Sequence, residues 1–87
     1  MRIYTLIQIS SGEELVSLDG IKYFTNKKDA VKALRAAYKD TKEMVRGGYT
    51  VDEKFCNDWE FKVSIEDDES LSGYSVYRGY IETAEVA

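Results

Sequence analysis

Histidine is absent from the 87 residues, cysteine occurs once, and no apolar run approaches the length of a membrane span. Without histidine the chain cannot build a Ser-His or Cys-His nucleophile or a His-ligated zinc site by itself. The single thiol, Cys56, has no partner for an intramolecular disulfide and cannot form a cysteine zinc site alone. A bilayer span needs roughly 18–20 apolar residues, and none is present. Met1-Arg2-Ile3-Tyr4 runs straight into a strand-like pattern. It lacks the basic segment, apolar stretch and small-residue cleavage site of a secretory signal. These absences predict a soluble, cytoplasmic chain.

They also leave only carboxylates, tyrosine or lysine for catalysis. Each of these needs a shaped pocket, which a thin one-helix domain seldom provides. The expectation is a non-enzymatic protein with no catalytic residue, no cofactor and no metal.

What is present describes a folded globule. Hydrophobic residues make up 44% and charged residues 32%, with seven Tyr, three Phe and one Trp. Disordered chains have few aromatics and aliphatics. Residues 1–87 are read as a single domain, which at this size buries only about 60–65% of its unfolded surface. Dimerisation would supplement so thin a core.

The first strand is read over Arg2–Ser10, with Ile3, Ile7 and Ile9 on one parity and Tyr4 and Leu6 on the other. Apolar residues on both faces suit a central or largely covered strand. After the Ser11-Gly12 turn, Glu14–Leu18 forms a short second strand that Asp19-Gly20 closes. Ile21–Phe24 is read as the connection into a helix, with the return strand of another hairpin as the alternative.

A helix follows, with Thr25 as its expected N-cap. Its apolar positions, from Ala30, Val31, Ala33 and Leu34 to Met44 and Val45, recur with a 3.6-residue rhythm. Gly47-Gly48 ends it. Tyr49–Asn57 is a connector in which Thr50 to Glu53 fits a capping box, so a short helical turn or an irregular loop is expected. Trp59, Phe61, Val63 and Ile65 then alternate with Glu60, Lys62, Ser64 and Glu66, one face buried and one wet. Tyr74–Thr83 pairs back, and Gly79 marks a bulge in it. The fold class is α+β: a small antiparallel sheet with one long amphipathic helix on one face, in the order β-β-α-(short helical turn)-β-β.

Three patterns are candidate surfaces. Glu66, Asp67, Asp68 and Glu69 lie at the tip of the last hairpin. They lack the alternating ligands, central Gly and twelfth-place Glu of a calcium loop. A wet turn is the plain reading, and docking on a basic partner the functional one. On the helix, Lys28, Lys32, Arg35, Lys39, Lys42 and Arg46 recur at steps of four and three. They form a stripe about 80° wide and about 27 Å long. Such a row suits phosphates or another polyanion, although solvated helix faces are often rich in lysine.

Tyr74, Tyr77 and Tyr80 supply aromatic area on the last strand, with Tyr77 facing opposite to the other two. Strand tyrosines serve as contact residues or simply as cross-strand packing.

Charge is unevenly placed. Residues 1–21 carry −2, residues 22–46 carry +5 and residues 47–87 carry −7, for a total of −4. Such asymmetry steers association with charged partners or with other copies. The expected function is a small acidic protein-interaction module. It would act as an inhibitor or accessory protein that covers a basic partner surface, as small inhibitors of phages and mobile elements do. A homodimer fits as well. The alternative is a binder of polyanions or nucleic-acid backbone through the helix stripe, which the acidic half opposes.

Overall fold

The computed structural model describes residues 1–12, 16–45, 50–66 and 74–86. They form five strands and one helix: β1 (Arg2–Ser11), β2 (Val16–Phe24), α1 (Lys27–Met44), β3 (Thr50–Cys56), β4 (Glu60–Glu66) and β5 (Tyr74–Glu85). The class is α+β. The strands make one sheet in the order β2-β1-β5-β4-β3, antiparallel throughout. β1 and β5, the first and last strands, therefore hold its centre.

Three places differ from expectation. Ile21–Phe24 is strand, not connection: β2 runs unbroken from Val16 to Phe24. Asp19-Gly20 does not turn the chain, because Gln8 pairs with Gly20 while Ile9 pairs with Leu18. Asp19 is thus the extra residue of a β-bulge, which adds a residue without ending the pairing. In place of the expected helical turn or loop, Thr50–Cys56 forms β3 and pairs with β4. Gly79 sits in regular pairing with Gln8 on one side and Phe61 on the other, so the expected bulge is absent there.

The helix begins one residue later than the sequence pattern indicates. Asn26, extended at φ −125° and ψ 124°, is the N-cap, and its Oδ1 accepts from Lys28 N–H at 2.8 Å. The amide side chain satisfies a first-turn donor that has no partner inside the helix. The expected end at Gly47-Gly48 lies outside the described residues.

α1 lies on one face of the sheet. Ala30, Leu34 and Ala37, with Val45 just beyond the helix, join Leu6, Phe61, Val63, Ile65 and Ile81 as the buried core. The small alanines let the helix backbone approach the strands closely. Phe61 fills the middle, with the Tyr38 ring tilted against it at 5.7 Å between centroids.

Trp59 stands apart from the buried row it was grouped with. It precedes β4 in the turn after β3 and is 41% exposed, with Lys27 Nζ 4.7 Å above its ring. Asn57 shapes that turn, its Oδ1 accepting from the backbone N–H groups of Trp59 and Glu60 at 2.8 and 3.0 Å. The Asn side chain thereby does what a backbone carbonyl does in a regular turn.

Candidate functional site

A single helix about 10 Å across cannot cover five strands spaced about 4.8 Å apart. α1 covers the middle of its side, and a cleft of about 430 Å³ remains between it and β1–β2. Gln8, Ser10, Asp19, Lys22, Ala36 and Asp40 are among its lining residues, and Ser10 Oγ donates to Asp19 Oδ1 at 3.2 Å. This cleft is open to solvent and of mixed charge.

The other face of the sheet is more informative. Side chains alternate along a strand, so the residues paired across β2, β1 and β5 fall in rows on that outer face. Ile21, Ile7 and Tyr80 form the central row. Leu18, Ile9 and Arg78 form the next row on one side, and Tyr23, Thr5 and Glu82 the next on the other. Val16, opposite Ser11, and Ile3, opposite Ala84, extend the patch to its two ends.

The bulge makes this face apolar. Val16 and Leu18 have one parity and Ile21 and Tyr23 the other, so a regular strand would split the two pairs between faces. With Asp19 inserted, all four point the same way. Their exposures are 74% for Val16, 60% for Leu18, 43% for Ile21 and 71% for Tyr23. Ile3, Ile7, Ile9 and Tyr80 are half-buried beside them. Among the described residues no element packs over this surface, and its β1–β2 half carries no charged side chain. A contiguous exposed apolar patch of this kind is often a contact surface, whereas apolar residues exposed singly are ordinary.

The β3–β4–β5 half of the same face is charged, and part of that charge is matched within the chain. Lys62 Nζ lies 3.1 Å from Glu53, and an Arg78 guanidinium nitrogen lies 3.7 Å from Glu60. The outer face therefore divides into an apolar half and a charged half.

The residues singled out in the sequence do not come together at one place. Tyr80 lies on the outer face, whereas Tyr77, paired with Ser10 and Val63, is half-buried on the helix side. Tyr74 opens β5, and its side chain lies outside the description. Glu66 is exposed at the end of β4. Asp67, Asp68 and Glu69 lie outside the described residues. Among the described residues no group of three His, Cys, Asp or Glu side chains is placed to hold a metal ion.

Lys28, Lys32, Arg35, Lys39 and Lys42 are all exposed on α1, and Arg46 falls outside the described residues. Two of the five are engaged within the chain. Arg35 lies 2.6 Å from Asp58 in the β3–β4 turn, and Lys42 Nζ stands 4.5 Å over the Tyr38 ring. Lys28, Lys32 and Lys39 form no ion pair among the described residues.

Cys56, at the end of β3, is partly buried, and burial pushes its thiol above the ordinary value. Arg35 and Lys42 act in the opposite direction, and Asp58 adds to the rise. A raised thiol is a poor nucleophile near neutral pH, since the thiolate is the reactive form.

Among the described residues no helix is long and apolar enough to cross a membrane. No family model, curated protein or solved structure matches the chain.

Proposed function

We propose that the protein is a non-enzymatic interaction module that binds another polypeptide chain through the outer face of its sheet. The observation that carries this reading is the row of Val16, Leu18, Ile21 and Tyr23, between 43% and 74% exposed and free of charge. Placing so much apolar side chain in water is unfavourable at about 25 cal/mol per Å², and a contacting chain removes that cost. An inhibitor or accessory role agrees with the charge distribution. Residues 47–87 carry ten acidic against three basic residues, suited to lying against a basic partner.

The helix stripe supports the polyanion alternative less well, because Arg35 and Lys42 already have intramolecular partners.

Affinity capture from the source cell tests the choice with three baits: wild type, Leu18→Lys with Tyr23→Lys, and Lys32→Glu with Lys39→Glu. A protein lost only with the sheet-face bait is the expected result. Nuclease-sensitive material lost only with the helix bait would replace this reading with polyanion binding. Equal behaviour of all three would remove both surfaces from consideration.

A further inference from the structure

Resting on the reading that the outer face is a contact surface, we infer that the chain seated on it is a second copy of this protein. The two sheets pack face to face about a two-fold axis along the Ile21–Ile7–Tyr80 row. Three observations converge on this.

The first is composition. Interfaces between different, separately soluble proteins are about as polar as ordinary surface, whereas homodimer interfaces are more apolar and poor in charge at their centre. The β1–β2 half of this face has no charged residue at all. β1 carries Leu6 and Tyr4 toward the helix and Ile3, Ile7 and Ile9 away from it. Runs apolar on both sides belong to strands covered on both sides.

The second is size. The exposed apolar side chains of β2 and the half-buried ones of β1 and β5 form one surface across three adjacent strands, the breadth that a stable interface of roughly 800 Å² per partner needs. Sheets packed face to face lie about 10 Å apart, and their inner side chains then fill a second core. An 87-residue chain with one thin core gains most from that addition.

The third is charge. Arg78 and Glu82 stand two residues either side of Tyr80 on the same face of β5. They are about 13 Å apart along the strand, too far to pair with each other. Rotation about an axis along the Ile21–Ile7–Tyr80 row reverses position along every strand. Arg78 of one copy then lies over Glu82 of the other, and Glu82 over Arg78. The same rotation sets Leu18 over Tyr23 and Ile7 over Ile7. Glu60, at the far end of the row, meets its own copy but keeps Arg78 at 3.7 Å as a counter-ion.

Sedimentation equilibrium of the purified chain at tens of micromolar tests this. The expected mass is twice the 10.0 kDa of one chain. Ile21→Glu, which sets two carboxylates on the axis, should give only monomer. Glu82→Lys, facing Arg78 of the other copy, should weaken the dimer about tenfold. Lys32→Glu, on the exposed helix side, should leave the mass unchanged. Far-UV circular dichroism confirms that each variant is folded.

A wild-type monomer at these concentrations would overturn the second copy. The contact-surface reading would survive that result if the sheet-face bait still loses a captured protein, and would fall with it otherwise. A dimer that persists in folded Ile21→Glu protein would place the interface elsewhere and overturn the proposal equally.

Discussion

Gly79 of β5 lies directly opposite Phe61 of β4, and a methyl group on Gly79 would stand 2.8 Å from Phe61 Cδ2 and 2.9 Å from Cζ. Phe61 is only 1% exposed and has Tyr38 against it, so the ring has no room to retreat. The glycine is a notch cut for an aromatic ring. Gly79→Ala should therefore destabilise the domain by about 1–3 kcal/mol, the usual cost of overpacking. In a Phe61→Leu background the same change should cost much less, because the obstructing ring atoms are gone. Urea unfolding of the four proteins in the cycle checks both statements.

The start of α1 supports a sharper test. Asn26 caps the helix through Lys28 N–H, whereas Thr25 forms no such bond among the described residues. Asn26→Ala should cost about 1 kcal/mol and Thr25→Ala only a few tenths. In a domain of this size that corresponds to a fall in Tm of about 4–8 °C for the first. Equal losses would mean that the cap has been assigned to the wrong residue.

Cys56 supplies a pH dependence. Its thiol is raised by burial, so the folded chain holds that proton more tightly than the unfolded chain does. The neutral form is the one the fold favours. The resulting stability is fully present below the ordinary thiol value of about 8.5 and is lost as pH rises through the higher folded value. A Cys56→Ser variant should lack this alkaline loss, and alkylation of Cys56 in the folded protein at pH 8 should be slower than in urea. Alkylation as fast as in the unfolded chain would contradict the assignment.

Arg35 and Asp58 tie the helix to the β3–β4 turn, but both side chains are more than half exposed. Exposed ion pairs typically contribute 0.2–1 kcal/mol. A double-mutant cycle with Arg35→Gln and Asp58→Asn should give a coupling in that range, and about 0.5 M salt should reduce it. The structural consequence lies elsewhere, in the charge that Asp58 removes from the basic row.

The sequence was most legible where one period ran undisturbed. The helix carries its 3.6-residue rhythm from Ala30 to Val45, and Phe61, Val63 and Ile65 alternate through β4. It was least legible where a local signal has two structural solutions. Asp19-Gly20 serves equally well as a tight turn or as a bulge, and only the pairing partners of Gln8 and Ile9 decide between them. The bulge also shifts parity within β2, so the alternation that would have revealed the apolar face is broken in the sequence itself.

Thr50–Glu53 matches a helix-cap pattern, yet the free edge of β4 offered it a strand's hydrogen bonds, and tertiary pairing prevailed. Tyr23, largely exposed on the outer face, gives no contact signal in the sequence, because Ile21–Phe24 there reads as a connection into the helix. Tyr77 and Tyr80 were correctly placed on opposite faces, since β5 is regular through both.

β1 and β5, far apart in sequence, are clasped side by side within the sheet. Val86 N–H donates to Met1 O at 2.7 Å, and the Arg2 guanidinium meets Glu85 across a separation of 83 residues. A chain emerging from the ribosome can join β1 to β2 early and add α1, but β1 then waits with one hydrogen-bonding edge bare until β5 is made. Pairings so distant in sequence close slowly, and a bare edge is a template for the wrong partner in the interval. Joining the ends with a short linker and reopening the chain between β2 and α1 would place β5 next to β1 in synthesis. Such a permutant should refold faster and aggregate less, though its finished sheet would be the same.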